Sequence, residues 1–163
     1  MNNSVDIKWY EGLMFSALFF LNAPHVLDAI NLLFQDTSGW TPYYSKFFIR
    51  IHGIIYFVLG LLCLLGVIFY LLKHKKGWFL LFVNSFYFLV YYTIIGFKST
   101  DLNVFYFIYL VLSITAVIVM ISAIKKLKIP AWNIIASAMV SILLILADYY
   151  KYRLSLALTS SIH

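Results

Sequence analysis

The sequence predicts an all-α protein, a polytopic bundle of five transmembrane helices. Of its 163 residues, 64% are hydrophobic and only 11% are charged, whereas a soluble domain carries about 25% charged residues. The mean hydropathy is +0.94. The apolar residues fall into five runs, and each is close to the roughly 20 residues that a spanning helix needs. We therefore expect residues 1–163 to form a single integral membrane domain in contact with the lipid bilayer.

The five predicted spans follow one another with mostly short connections. They cover residues 12–34, 46–72, 78–97, 103–124 and 129–150. The start of the second span is placed between Tyr44 and Ile49, after the loop QDTSGWTPYYSK, which is long enough for local structure. The other connections, KHKKG, KSTDL and KKLK, are so short that neighbouring helices are expected to be antiparallel.

The distribution of lysine predicts the orientation of the chain. Three lysines follow the second span and three follow the fourth, but only Lys98 separates the third from the fourth. The positive-inside rule places the two lysine-rich connections in the cytoplasm. We therefore expect a multi-pass protein with a cytoplasmic N-terminus and an outside C-terminus, although Lys46, Arg50, Lys151 and Arg153 reduce the contrast. The net charge of +6 resides largely in these clusters, so it does not indicate a nucleic-acid partner.

The first span contains an unusual polar stretch, LNAPHVLDAINLLF. Pro24 cannot donate a hydrogen bond to the carbonyl of Phe20, so a kink is expected there. At about 100° per residue, Asn22, His25 and Asp28 share one side of the helix, spread over roughly 120°. This side is predicted to face the bundle interior.

Two further helices carry a polar or small-residue face. On the second span Arg50, Gly53, Tyr56 and Gly60 share a side, with His52 at its margin. On the fifth span a stripe about 80° wide contains Asn133, Ser137, Ser141 and Asp148. Gly53, Gly60, Ser137 and Ser141 are predicted to allow close helix packing, because small residues let two backbones approach. The aromatic stretch FYFLVYY, from Phe86 to Tyr92, is interpreted in the same way, as packing.

The ionisable side chains of these helices gather in the predicted outer half of the membrane. They form a candidate polar cluster: His25, Asp28, Arg50, His52 and Asp148. Two interpretations stay open, because intramembrane charges either pair with one another or mark a functional site. In the first, Arg50 neutralises Asp28 or Asp148 and fixes the packing. In the second, the cluster is an outward-facing pocket for a headgroup, a quinone ring or a small solute.

Catalytic chemistry has no support in the sequence. No nucleophile motif, phosphate loop or paired-carboxylate arrangement is present, and the single cysteine, Cys63, has no partner for a disulfide or a metal pair. A metal centre needs three or four converging ligands. His25 and His52 are the only histidines at similar depth, which argues against metal and against haem. The sequence therefore does not support enzymatic activity, though it does not exclude it, and no catalytic residue is assigned.

The first four predicted spans show a family resemblance. GLMFSALFFLNAPHVLDAINLLF, then a polar loop, SKFFIRIHGIIYFVLGLLCLLG and KHKKGWFLLFVNSFYFLVYYTIIGF together resemble the small DoxX-like membrane proteins. Arg50, Gly53 and Gly60 match the arginine and glycines of the family's second helix. The resemblance covers residues 12–124 as a four-helix unit, to which the fifth helix is an addition. It implies a link to membrane oxidoreductase systems, including quinone chemistry, and carries over no catalytic residue.

Two functions are open at the level of sequence. The first is a non-catalytic small subunit that packs with other membrane subunits in a larger complex, respiratory or quinone-linked. The second is a stand-alone binder or carrier of a lipophilic small molecule, a quinone or a lipid, held in an outer-leaflet pocket around His25, Asp28, Arg50 and His52. The abundance of Ile, Tyr, Phe and Lys is typical of an AT-rich prokaryotic genome, so we expect a cytoplasmic (inner) membrane.

Overall fold

The computed structural model describes residues 8–34, 43–72, 74–98 and 104–160. This part of the chain contains helices and no strand. The helices are α1 (Trp9–Phe34), α2 (Tyr43–Leu71), α3 (Lys75–Lys98), α4 (Val104–Leu127) and α5 (Ala131–Ser160). All five are long and apolar enough to cross a membrane. The predicted all-α class is therefore confirmed, and so is the presence of five helices long and apolar enough to span a membrane.

The helices extend beyond the apolar runs that predicted them. α3 begins at Lys75 rather than at residue 78, and α5 continues to Ser160 rather than ending at residue 150. Hydropathy detects only the segment that suits hydrocarbon, whereas helical hydrogen bonding continues into the polar interface. α1 continues through Pro24 as one helix. Residues 35–42 of the first loop and the predicted start at residue 103 lie outside the described residues.

The first four helices form a ring, and α5 packs on its outside. α1 contacts α2, α2 contacts α3, α3 contacts α4, and α4 returns to contact α1. α5 packs against α3 and, less extensively, against α2. Within their spans, 56% of α3 is buried but only 11% of α5. α3 is thus the central helix, and the side chains it carries are the ones most enclosed by protein.

The apolar core is anchored by aromatic residues of α3. Trp78, Tyr87 and Phe88 are all fully buried. The Trp78 indole donates a hydrogen bond from Nε1 to the carbonyl of Met120, 2.7 Å away, which joins α3 to α4. A buried indole N–H without an acceptor would be costly. The Met120 carbonyl therefore explains how this large amphipathic side chain is accommodated in the core.

The turn between α2 and α3 is unusually tight. The His74 N–H donates to the carbonyl of Phe69 at 2.8 Å, and the Gly77 N–H donates to the carbonyl of His74 at 2.9 Å. A Cβ at Gly77 would collide with the backbone of Tyr70. Because backbone cannot move aside as a side chain can, position 77 requires glycine. The first turn of α3 is thereby held directly against the last turn of α2.

Candidate functional site: an aromatic cluster around His25

His25 lies inside the ring of helices, half-buried between two aromatic side chains. Its imidazole stacks on Tyr56 of α2, with ring centroids 4.5 Å apart and an interplanar angle of 26°. The ring of Phe88 on α3 covers it at 5.0 Å and 22°. The imidazole is therefore stacked between two aromatic faces.

The polar edge of this imidazole is bonded to a tyrosine. His25 Nε2 and the Tyr92 hydroxyl are 2.7 Å apart, and the tautomer of the histidine decides which group donates. Tyr92 stacks in turn on Tyr109 of α4, at 5.3 Å and 12°. Each helix of the ring thus contributes to one group of side chains, here called the His25 cluster: His25, Tyr56, Phe88, Tyr92 and Tyr109.

One turn before His25, two asparagines form a reciprocal bridge. Asn22 Nδ2 donates to Asn84 Oδ1 at 2.9 Å, and Asn84 Nδ2 donates to Asn22 Oδ1 at 3.0 Å. The remaining amide protons bond the carbonyls of Leu18 at 2.8 Å and Leu59 at 3.0 Å. The bridge joins α1, α2 and α3, and it leaves no amide proton of either side chain free.

The outer face of α3 meets the polar stripe of α5. Ser137 and Ser141 are fully buried, and the Ser141 hydroxyl bonds the carbonyl of Val83 at 3.1 Å as well as that of Ser137 at 2.8 Å. Asp148 is half-buried and interacts electrostatically with the hydroxyl groups of three tyrosines, Tyr56, Tyr87 and Tyr91. The stripe predicted on the fifth span therefore faces α3.

The predicted polar cluster is distributed over different environments. His25 is enclosed by aromatic rings, whereas Asp28 and Arg50 are both exposed and contribute nothing to the His25 cluster. Asp148, on α5, faces the tyrosines of α2 and α3. The side chain of His52 lies outside the described residues. Tyrosines are thus among the polar neighbours of both His25 and Asp148.

The two predicted packing glycines of α2 lie against α1. A Cβ at Gly53 would come within 3.2 Å of the Ala29 carbonyl oxygen, and a Cβ at Gly60 would collide with the side chain of Val26. Both positions therefore need the smallest residue for α1 and α2 to approach as closely as they do.

Sequence reasoning missed several residues that matter to the interior. Asn84 and Tyr92 are the partners of Asn22 and His25, yet neither was singled out. Asn84 carries a usable signal, since it is a lone amide in the apolar run LLFVNSFYF and such groups seek a partner in a membrane. Glu11 was also overlooked. It is only 4% exposed and accepts a hydrogen bond from the Tyr70 hydroxyl at 3.1 Å.

An apolar groove runs between α1 and α2, and we call it the α1–α2 groove. Its volume is about 790 Å³. Its lining residues are uncharged: Phe15, Ser16, Phe19, Phe20, Asn22, Ala23, Val26, Leu27, Gly60, Cys63, Leu64 and Val67. Phe19 and Phe20 are 66% and 61% exposed. The groove therefore opens to the surroundings of the bundle and offers contact area without charge.

Metal-ligating side chains do not converge in the part of the chain that the structure describes. Within it, no three side chains of His, Cys, Asp or Glu lie close enough to hold a metal ion. The polar contacts described above join α1 to α2, α3 to α1 and α2, and α5 to α3.

Comparison with known proteins leaves the family open. The chain matches no family model, no curated protein and no solved structure. The DoxX-like resemblance of residues 12–124 stays a prediction, carried by Arg50, Gly53 and Gly60. Function is therefore argued from the geometry of the bundle.

Proposed function

We propose that the protein is a non-catalytic small membrane subunit that packs in a larger membrane complex through the α1–α2 groove. The observation that carries this proposal is the groove itself, an uncharged depression of about 790 Å³ between two helices. Helices associate in lipid through shape complementarity and close backbone approach rather than through hydrophobic drive. Ser16, Ala23 and Gly60, which line the groove, are small residues of the kind that such contacts use.

The interior chemistry supports the same proposal. Asn22 lines the groove, but both of its amide protons are already bonded, to Leu18 and Asn84. His25 is bonded to Tyr92. Strong polar groups of the bundle are thus used to hold its own helices together, and the groove presents mostly apolar atoms. A partner helix with a complementary apolar face suits such a surface better than a polar substrate does.

The kind of complex is proposed from the sequence. The DoxX-like resemblance implies a respiratory or quinone-linked assembly, and the composition of the chain implies a prokaryotic cytoplasmic membrane. The lysine-rich connections place the N-terminus in the cytoplasm and the C-terminus outside.

The experiment fills the groove with a large side chain and measures whether a partner protein stays bound. Ala23→Phe places a large ring in the groove, whereas Ala147→Phe, on an exposed position of α5, adds the same ring elsewhere. Tagged chains are isolated from their native membrane in mild detergent and weighed by native mass spectrometry. The wild type and Ala147→Phe are expected to carry a partner of defined mass in fixed ratio. Ala23→Phe is expected to lose it about tenfold, since overpacking costs roughly 1–3 kcal/mol.

Two results would contradict the subunit role. One is a wild-type chain that leaves its native membrane without any partner. The other is an Ala23→Phe chain that keeps its partner in full, because the groove would then not be the contact. Far-ultraviolet circular dichroism of each variant shows whether its helices have formed.

The volume of the groove favours one second candidate, a stand-alone binder of a lipophilic small molecule such as a quinone or lipid. Ligand pockets commonly measure about 300–1,000 Å³ and are mostly apolar, and the α1–α2 groove lies in that range. In this case native mass spectrometry would show one small molecule on a bare chain, lost in Ala23→Phe. If the outer residues bind it instead, alanine at Asp28 and Arg50 would remove it and Ala23→Phe would not.

A further inference from the structure

A second groove lies at the lysine-rich end of the bundle, where the α2–α3 and α4–α5 turns meet the interface. Its volume is about 700 Å³, and it shares no lining residue with the α1–α2 groove. Its apolar part is formed by Phe69 from the end of α2 and by Phe79 and Leu80 from α3. We call it the basic groove, for the side chains at its other end.

The polar part of the basic groove is cationic. Lys75 and Lys76 both line it, together with His74, and all three are exposed. Among its lining residues in the described part of the chain there is no aspartate or glutamate. Two adjacent ammonium groups without a carboxylate repel each other, and an anion placed between them removes that repulsion. The groove therefore complements a negative charge.

The two lysines stand on a fixed backbone. They occupy the first turn of α3, which the His74–Phe69 and Gly77–His74 hydrogen bonds hold against α2. The lack of space for a Cβ at Gly77 shows how closely the two backbones pack there. Because these hydrogen bonds already order the backbone of the first turn of α3, a ligand bound by its lysines has less backbone entropy to offset.

The third wall of the basic groove comes from the start of α5. Trp132 and Asn133 line it, and Trp132 is 67% exposed. Tryptophan is enriched where headgroups meet hydrocarbon, so Trp132 marks the depth at which the groove passes from polar to apolar. The side-chain amide of Asn133 adds a hydrogen-bond donor beside the lysines.

We propose that the basic groove binds one anionic phospholipid. The phosphate lies between the ammonium groups of Lys75 and Lys76, and the acyl chains run along Phe69, Phe79 and Leu80. Basic pockets between transmembrane helices suit anionic headgroups in this way. A soluble anion satisfies only the lysines, whereas a lipid also covers the apolar part, so we assign the site to a lipid. The assignment is independent of the proposed role of the α1–α2 groove.

The test compares lipids on the full-length protein in mild non-ionic detergent by native mass spectrometry. The probes are dioleoylphosphatidylglycerol, dioleoylphosphatidylcholine and, as a competitor, inorganic phosphate at millimolar concentration. The test variant is Lys75→Gln/Lys76→Gln. The control is Lys125→Gln/Lys128→Gln, which removes the same charge from two exposed lysines that do not line the groove.

The expected result is one retained phosphatidylglycerol per chain, preferred over phosphatidylcholine by about tenfold. The control variant keeps this preference, the glutamine variant loses it, and Lys75→Arg/Lys76→Arg keeps it because the charge remains.

Three results would overturn the assignment. Equal binding of phosphatidylglycerol and phosphatidylcholine by the wild type would show that the two lysines do not select an anionic headgroup. Equal loss in the control variant would make the effect one of diffuse surface charge. Complete displacement by inorganic phosphate would assign the lysines to a soluble anion. If the glutamine variant fails to fold, the wild-type preference and the phosphate competition still decide.

Discussion

The reciprocal bridge between Asn22 and Asn84 permits a quantitative prediction. Replacing either residue with valine, which has a similar volume and no polar side-chain atom, breaks both bonds between the two amides. Asn84→Val also removes the bond to the Leu59 carbonyl. The amide left behind in each single variant keeps its bond to a backbone carbonyl but loses its partner amide, and it stays buried because Asn22 and Asn84 are 7% and 0% exposed.

The size of the effect follows from the number of bonds between helices. Such bonds contribute about 0.6 kcal/mol each on average in a membrane, and about 1.7 kcal/mol at most. Asn22→Val removes two of them, so we expect a loss of about 1.2 kcal/mol. Asn84→Val removes three and is expected to cost about 2 kcal/mol. The double variant removes the same three bonds, so it is expected to cost no more than Asn84→Val alone.

The assay is a double-mutant cycle on reversible unfolding. Wild type, both single variants and the double variant are titrated with denaturing detergent in mixed micelles, and helicity is followed by circular dichroism. The expected coupling energy is about 1.2 kcal/mol, equal to the two shared bonds.

A matched control is provided by Ser113, which is fully buried and bonds the Tyr109 carbonyl of its own helix at 2.8 Å. Combining Ser113→Ala with Asn22→Val is expected to give additive costs. Additive costs for the asparagine pair as well would refute the reasoning, because they would mean that the bridge contributes no coupling.

Three further predictions use the same unfolding assay. Gly60→Ala puts a methyl group into the side chain of Val26 and is expected to lower the free energy of unfolding by about 1–3 kcal/mol. Most of this loss should be recovered in the double variant with Val26→Ala. No recovery would argue against the close approach of α1 and α2 at this position. In Gly77→Ala the new methyl group collides with the backbone of the last turn of α2, so we expect the free energy of unfolding to fall by at least about 2 kcal/mol. No side-chain truncation should restore this loss, and an unchanged free energy of unfolding would contradict the close packing of α2 and α3. Tyr92→Phe removes the bond to His25, and by the same value for a bond between helices it is expected to cost about 0.6 kcal/mol. It is also expected to shift the imidazole nitrogen resonances, and unchanged resonances would show that the bond is absent.

The helices of this protein could be predicted because their signal is simple. A run of about 20 apolar residues is sufficient for a span, and each of the five predicted runs lies largely within a helix of the structure. The ends were less accurate, as at Lys75 and Ser160, because polar interface residues continue a helix without adding hydropathy. The orientation rests on the lysine count and stays a prediction.

The candidate site was harder to predict than the helices. Depth and helical angle together give the position of one side chain, but they do not identify the residue that it contacts. Asn22, His25 and Asp28 turn by about 60° at each step of three residues. Over the resulting 120° the environment changes from buried Asn22 through half-buried His25 to exposed Asp28. The α5 stripe is narrower, and its serines and Asp148 accordingly share the α3 side. Which residue of α3 meets Asn22 or His25 depends on the relative shift of two helices, which a single sequence does not encode in any local pattern.

The position of α5 outside the ring separates the interior of the protein from one side of its surface. Contact between α4 and α1 already closes the ring, and the five side chains of the His25 cluster all come from these four helices. α5 adds contacts from outside, among them the buried Ser137 and Ser141. Substitutions at exposed positions of α5 can therefore change the outer surface of the protein while the ring keeps its interior contacts.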